Sequence, residues 1–226
     1  AVAKRLAKIP SPRKTPVFIN IGKNRQTSLE NAFADYEILT KKLSPYADGL
    51  VINISSPNTP DLRKLQAPDK IAKIIEKVRS GSLKPEIPIL LKLSPDLIEN
   101  DLSDTVHSAL DANIDGFIFT NTTLARTSEM NFPAEGGVSG APLANASKKI
   151  LAKAIDIMGA KRQGKLIISC GGIMNFDDIQ DRLNMGADLI QVYSTLVFNG
   201  PFWPRNVVKQ MIALKNIQAH NQELAK

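Results

Sequence analysis

Short apolar runs alternate along the chain with longer segments of helical periodicity, and this alternation constrains the fold more than any other feature. The runs are apolar almost throughout, which is typical of parallel strands covered on both faces. The intervening segments carry apolar stripes at helical spacing, and a capping box at Thr27 and Glu30 predicts the start of the first helix. We predict strands at residues 17–21, 50–54, 89–93, 116–120, 166–170 and 189–193.

The ends of these strands decide between an open sheet and a barrel. An open, doubly wound sheet gathers its ligand groups at one switch point, whereas all strands of a β/α barrel end at the same mouth. Nearly every strand here ends in small polar or Gly-rich sequence, for example NIGKN (20–24) and NISSPN (53–58). We therefore predict an α/β fold, a (β/α)8 TIM barrel. Eight strands close such a barrel, so with six either two strands are unrecognised or the first strands are absent. We favour the second explanation, a single partial barrel domain over 1–226.

Composition excludes several other classes of protein. A chain of 226 residues with 43% hydrophobic content can form one sizeable core. It has no apolar run long enough for a transmembrane helix, and a lone cysteine excludes an internal disulfide framework. The net charge of +7 is scattered through amphipathic segments beside acidic residues, which favours a solvated basic surface over a nucleic-acid-binding face. No His or Cys spacing is typical of a zinc site.

Two polar residues stand inside apolar strands. Asn53 lies in a run of Val and Ile, and a buried amide needs hydrogen-bond partners, which a polar ligand can provide. A Ser-Pro turn with an Asn cap is the alternative. Lys92 lies among aliphatic residues, so it either meets a negative group or faces water from an edge strand.

Gly-rich turns close two of the later β/α units, at EGGVSGAPL (135–143) and SCGGIMNFDD (169–178). Backbone N–H groups between a strand and a helix bind phosphate, and in many barrels the phosphate site lies at the last two strands. Ordinary loop structure is the alternative. The position of the second turn predicts the phosphate site of a mononucleotide.

Taken together, the motifs resemble those of the dihydroorotate dehydrogenases, flavin-containing β/α barrels of pyrimidine synthesis. The resemblance extends from about Val17 to the closing helix. Seven motifs follow the family's order: NIGKN (20–24), NISSPNTP (53–60), KLSPD (92–96), TNTT (120–123), GGVSGAPL (136–143), GGI (171–173) and VYS (192–194). The family's soluble class carries a cysteine base, and its quinone-dependent class 2 carries serine. Ser56 occupies that position, so the chain resembles the quinone-dependent class.

The resemblance implies FMN as cofactor, dihydroorotate as substrate, orotate as product and a quinone as electron acceptor. It implies that Ser56 removes a proton from C5 of dihydroorotate and that Thr59 relays it. Lys92 is expected at the N1/O2 edge of the flavin. The implied substrate-binding residues are Asn53, Asn58, Asn121 and Thr122. The implied cofactor-binding residues are Asn20, Asn53, Lys92, Thr120, Gly140, Gly172, Tyr193 and Ser194.

The chain also departs from the family's pattern. Asp61 stands where the family usually has Gly, so we expect an effect on the geometry of the loop beside the base. The family's N-terminal membrane-associating helices and first barrel strands have no counterpart here. We therefore expect the chain alone to bind FMN poorly. The class implies peripheral membrane contact through that absent segment, at the cytoplasmic face of a bacterial inner membrane or, alternatively, at the mitochondrial inner membrane.

Two other functions remain open at this point. Another FMN barrel, such as a tRNA dihydrouridine synthase, would fit the positive charge, but its cysteine acid and basic helical domain do not appear. A catalytically silent, basic module that binds anionic lipid or RNA would show salt-sensitive binding and no flavin. We expect no nucleic-acid partner.

Overall fold

The computed structural model describes residues 1–10, 12–126 and 132–224 and contains a six-stranded parallel sheet. The strands are hydrogen-bonded in chain order, each parallel to the next, as in a barrel that has been opened. Each predicted strand corresponds to an observed one, and the prediction of an incomplete β/α barrel is confirmed. The strands are β1 (Phe18–Ile21), β2 (Gly49–Asn53), β3 (Ile89–Leu93), β4 (Gly116–Phe119), β5 (Leu166–Cys170) and β6 (Leu189–Gln191).

Helices cover the outer face of this sheet. Four consecutive helices, α2 to α5, pack side by side behind β1 to β5. No helix within the described residues is both long and apolar enough to cross a membrane. The helices are α1 (Val2–Leu6), α2 (Ala32–Leu43), α3 (Pro68–Gly81), α4 (Glu99–Asp111), α5 (Ala144–Met158), α6 (Phe176–Asn184), α7 (Ser194–Asn199) and α8 (Trp203–Leu224).

The predicted capping box at Thr27 and Glu30 is wrong. Helix α2 begins only at Ala32, after Asn31, and no side chain caps it. The residues before it form turns instead, and the buried Lys23 ammonium donates hydrogen bonds to the carbonyls of Asn24 and Thr27. Local bonding to a buried cation thus replaces the first helical turn that the capping pattern predicted.

The alternation of side chains along each strand separates two apolar regions. Outward-facing residues such as Leu50, Leu91 and Phe117 join the large core beneath the helices. Inward-facing residues form a smaller cluster of Val51, Leu90, Ile118 and Ile168. At the next inward-facing position towards the carboxyl ends, the inner face becomes polar. The residues there are Asn53, Lys92, Thr120, Cys170 and Gln191.

Lys92 therefore belongs to the mouth of the half-barrel. Strand β3 pairs with β2 on one side and with β4 on the other, so the edge-strand explanation of Lys92 is wrong. Asn53 and Lys92 are register partners on the inner face, which places the two polar residues of the sequence side by side.

A repeated aspartate contact ties the strands in pairs at their amino ends. Three aspartates each stand immediately before an even-numbered strand and accept a hydrogen bond from a backbone N–H of the preceding strand or the residue before it. Each aspartate also pairs with an arginine. The contacts are Asp48 with Val17 N (2.8 Å) and Arg13 (3.2 Å), Asp115 with Ile89 N (2.8 Å) and Arg79 (2.9 Å), and Asp188 with Ile167 N (2.8 Å) and Arg162 (2.9 Å). These bonds stabilise the sheet at the end opposite its mouth.

We predict that Asp48→Asn reduces stability in a pH-dependent way. The Val17 N–H and, to a smaller extent, the Arg13 guanidinium hold the pKa of Asp48 below its usual range. The stabilisation is therefore present above the unfolded-state value of about 3.9 and is lost as the pH falls through the lower folded-state value. Urea unfolding from pH 7 to pH 2 should show the difference between wild type and variant shrinking at the acid end.

Asp156→Asn on the exposed surface of α5 is the matched control, because it removes the same charge without breaking a contact between strands. A difference between wild type and Asp48→Asn that stays constant over the whole pH range would contradict the role of the carboxylate.

Candidate active site

Hydrogen bonds between the ends of β2, β3 and β4 organise the centre of the mouth. The Asn53 side-chain oxygen accepts from Asn121 Nδ2 at 3.2 Å and from the Ser55 backbone N–H at 3.2 Å. The fully buried Ser55 hydroxyl donates to the Lys92 carbonyl at 2.6 Å and accepts from Asn121 Nδ2 at 3.1 Å. Among the described residues the Asn53 NH2 group has no acceptor. The network therefore orients this amide and leaves its donors for a ligand.

The Lys92 ammonium reaches across the inner face from β3 to β6. It donates to Gln191 Oε1 at 2.7 Å and lies 3.9 Å from Cys170 Sγ. Both partners are neutral, and in the described ranges no carboxylate forms an ion pair with it. A half-buried cation with neutral partners favours an anionic or electron-rich ligand.

A cavity of about 380 Å³ extends from Lys92 to the loops that follow β4, β5 and β6. This volume is in the range of small-molecule sites. Eight of the residues predicted to bind a ligand line the cavity: Lys92, Thr120, Asn121, Thr122, Gly140, Gly172, Tyr193 and Ser194. The structure thus brings the predicted residues of β3 to β6 together around one space.

One wall of this cavity carries donors suited to an anion. Gly172 has a φ of +71°, and a Cβ there would lie 2.2 Å from the Ala144 Cα, so the close approach requires glycine. In the part of the chain that the structure describes, the backbone amides of Gly171 and Gly172 donate no hydrogen bond. The Ser139 and Ser194 hydroxyls, 3.1 Å from each other, line the same cavity. Free amides and hydroxyls around one cavity form a donor set that fits a phosphate.

The predicted base and its neighbours lie outside the lining of this cavity. Ser56 is half-buried after the end of β2, and its hydroxyl accepts a hydrogen bond from the Asn58 backbone N–H at 3.3 Å. Thr59 is half-buried in the same loop, and Asn20 is exposed on β1. These residues belong to the β1–β2 side of the mouth, whereas the cavity follows β3 to β6.

Arg63 joins three loops of the mouth, and the sequence analysis missed it. Its guanidinium donates to the Ser55 carbonyl at 3.1 Å, to Asp96 Oδ2 at 2.7 Å and to the Thr122 carbonyl at 3.0 Å. Asp96 in turn accepts from the Thr123 hydroxyl. Because Arg63 stands in a charged LRK stretch, its sequence context is typical of solvated surface. By contrast, Gln191 could have been found, since it is a polar residue inside an apolar strand, like Asn53 and Lys92.

A parallel half-barrel with a polar mouth and a turn with free backbone amides defines a β/α-barrel protein whose candidate ligand site lies at the carboxyl ends of the strands. The family model described as dihydroorotate dehydrogenase matches residues 1–214. The chain belongs to the dihydroorotate dehydrogenase family, so the resemblance seen in its motifs is confirmed.

Named relatives agree with this assignment. The dihydroorotate dehydrogenase (quinone) of Leifsonia xyli subsp. xyli is 38% identical over 96% of this chain and 64% of that protein. The protein of the same name from an Anaeromyxobacter species is 42% identical over 91% of this chain and 57% of that protein. The chain therefore spans about three-fifths of the length of these curated relatives.

Solved structures show the same fold. The ligand-free type DHODH of Eimeria tenella matches with a TM-score of 0.85 and 30% identity, over 96% of this chain and 66% of that chain. The complex of DHODH from the same organism with ferulenol matches with a TM-score of 0.82 and 29% identity, over 96% and 62% of the two chains.

The backbone at Asp61 explains why glycine suits this position. Asp61 has a φ of +58°, in the left-handed region, and its exposed carboxylate pairs with Lys64 at 2.8 Å. We predict that Asp61→Gly has a higher free energy of unfolding than Asp61→Ala by about 1 kcal/mol, because glycine adopts this backbone without strain. Both variants remove the pair with Lys64, so urea unfolding of the two isolates the backbone effect. Equal stability, or a more stable alanine variant, would contradict it.

We predict that Cys170 reacts slowly with iodoacetamide. Burial raises the pKa of its thiol, and the positive charge of the Lys92 ammonium opposes part of this rise. A free cysteine has a pKa of about 8.5, and the pH midpoint for alkylation of Cys170 should lie above this value. The midpoint should rise further in Lys92→Met. Lys165→Met, at the amino end of β5, is the control. A midpoint that falls in Lys92→Met would show that the ammonium does not act on this thiol.

Proposed function

We propose that the whole protein is a class 2 dihydroorotate dehydrogenase that oxidises dihydroorotate to orotate in pyrimidine biosynthesis, with FMN as cofactor and a quinone as final electron acceptor. The observation that carries this proposal is the meeting, in one mouth, of the Asn53–Asn121 amide pair, the Lys92 ammonium and the anion-binding Gly171–Gly172 turn. The family match and the quinone named in the relatives' titles support it. The 226 residues would form part of one barrel domain.

The residues around the cavity fit FMN. Gly140, Gly172, Tyr193 and Ser194 would hold its phosphate, because free amides and a hydroxyl converge there. Asn20, Asn53, Lys92 and Thr120 would bind the isoalloxazine. When bound, FMN supplies an acceptor for hydride. Lys92 would stabilise the negative charge that gathers at the ring edge, since its present partners are neutral.

The amides at the ends of β2 and β4 suit a flat ring with amide, carbonyl and carboxylate groups. Asn53, Asn58, Asn121 and Thr122 would hold dihydroorotate. Asn121 is already oriented, because its oxygen accepts the Thr122 backbone N–H at 2.8 Å while its nitrogen donates to Asn53 and Ser55. Such preorganisation reduces the cost of binding a rigid polar ring.

Ser56 would remove the proton from C5 of dihydroorotate as hydride leaves C6. A serine is a weak base at neutral pH, so the proton must pass onward, and Thr59 in the same loop would relay it. The half-buried setting of both residues is compatible with access to a ligand in the mouth. A quinone partner implies contact with a membrane, and we propose a peripheral position at the cytoplasmic face of a bacterial inner membrane.

The decisive experiment uses the purified chain with excess FMN under anaerobic conditions. Dihydroorotate should bleach the visible flavin absorbance, and Ser56→Ala should slow the bleaching by roughly 100-fold or more, the range of general base catalysis. Ser103→Ala on α4 is the control, because it removes a hydroxyl away from the mouth.

The outcomes distinguish the parts of the proposal. Flavin that is retained but never reduced by dihydroorotate would reject the substrate. Reduction that is as fast in Ser56→Ala as in wild type would reject Ser56 as the base, and a chain that retains no flavin would reject the FMN site for these residues alone.

A further inference from the structure

A buried arginine lies directly behind the Gly171–Gly172 turn, and nothing in the site described so far uses it. Arg182 on α6 has an exposed fraction of 0%. Its Nη2 donates to the Gly171 carbonyl at 3.1 Å, the Ala144 carbonyl at 3.0 Å and the Ser147 hydroxyl at 2.8 Å. Its Nη1 donates to the Ser169 hydroxyl at 3.3 Å, and its Nε has no partner among the residues that the structure describes.

Within the described residues, no ion pair balances the positive charge of Arg182. Its four acceptors there are neutral oxygens. Burial lowers the pKa of Arg182 and the nearby Asp178 and Asp181 raise it, but both carboxylates bind other groups. Asp178 accepts the backbone N–H groups of Met174 and Asn175 at the start of the helix, and Asp181 pairs with Lys148 at 2.7 Å. A buried charge without a counterion is costly, so an anion close to it would stabilise the fold.

The contacts of Arg182 also determine how the turn faces the cavity. The Gly171 carbonyl points towards the helices, where it accepts hydrogen bonds from Arg182 Nη2 and from the Ser147 hydroxyl at 2.7 Å. Among the described residues the amides of Gly171 and Gly172 have no acceptor of their own. The same guanidinium holds the carbonyl of Ala144, the first residue of α5, against which Gly172 packs. Arg182 therefore links the two backbone segments that form this wall of the cavity.

We propose that Arg182 is a positioning residue for the phosphate of the flavin: it orients the Gly171–Gly172 turn and places a buried positive charge behind it. This inference rests on the proposed FMN site and deepens it, because it gives a role in phosphate recognition to a buried residue that does not line the cavity. The ribityl chain and the isoalloxazine gain nothing from Arg182.

Comparison of FMN with riboflavin, which lacks the phosphate, tests the inference. Fluorescence titration of the wild-type chain should give at least about tenfold tighter binding of FMN than of riboflavin. In Arg182→Met this preference should fall by about tenfold while the affinity for riboflavin stays within roughly twofold. Arg182→Lys should keep most of the preference, because it keeps the charge and one donor.

Arg162→Met is the matched control. Arg162 also donates to a backbone carbonyl, that of Gly186 at 2.6 Å, but it is only half-buried and lies beside Asp188 at the amino ends of the strands. Its loss should lower stability and leave the preference for FMN over riboflavin unchanged.

A preference for FMN that is unchanged in Arg182→Met, or a loss of affinity equal for FMN and riboflavin, would overturn the inference. Should Arg182→Met fail to fold, Ser147→Ala takes its place, because it removes one of the two donors to the Gly171 carbonyl. It should lower the preference by about threefold, and no change would overturn the inference. A preference for FMN that is present in the wild-type chain and unchanged in Arg182→Met would reject this inference alone. A wild-type chain that binds riboflavin as tightly as FMN would reject the proposed phosphate site as well. Binding of neither flavin, with no thermal stabilisation by inorganic phosphate, would reject the FMN site for these residues.

Discussion

Two positive charges, Lys92 at the mouth of the half-barrel and Arg182 behind the Gly171–Gly172 turn, have neutral partners throughout the described part of the chain, and the proposed ligand site depends on them. Lys92 meets Gln191 and Cys170, and Arg182 meets carbonyls and hydroxyls. Charges held in this way favour a ligand with negative charge at two places. A flavin mononucleotide has a phosphate at one end and a ring edge that becomes electron-rich on reduction at the other. Lys92 lines the cavity, and Arg182 lies behind the Gly171–Gly172 turn that forms part of the lining of the same cavity.

The two ends of the sheet have different roles: contacts at the amino ends of the strands stabilise the fold, and the carboxyl ends carry the candidate site. At the amino ends, aspartates such as Asp115 bind a backbone N–H of the neighbouring strand and an arginine, and this keeps the strands in register. At the carboxyl ends, polar side chains face inward and loops carry the donors. This division is general in β/α barrels and permits loop residues to vary without loss of the fold. At the carboxyl ends, Arg63 contributes to stability as well as to the site, because it holds the loops together and thereby sets the positions of Ser55 and Thr122.

Much of the fold and part of the site could be predicted from the sequence. The strands were recognisable because apolar runs of β-branched residues contrast with amphipathic segments. Asn53 and Lys92 were recognisable because a polar group in such a run needs a partner. The hydrogen bonds that join the loops could not be recognised in the sequence. Arg63 and Thr122 are 59 positions apart, and no local pattern reports a hydrogen bond at that separation. The capping box failed for a different, local reason, because the buried Lys23 ammonium binds the Asn24 and Thr27 carbonyls and outweighs the propensity to start a helix there. Arg182 has an ordinary helical context, and only its burial distinguishes it.

The central claim is that the mouth holds FMN with its phosphate on the Gly171–Gly172 turn and its ring beside Lys92. A crystal structure of the chain with FMN and orotate tests this claim most directly. We expect phosphate oxygens within hydrogen-bond distance of the Gly171 and Gly172 amides, the ring edge at the Lys92 ammonium, and orotate against Asn53 and Asn121. A flavin bound in the reverse direction, with its phosphate at Lys92, or a flavin bound outside this cavity would contradict it.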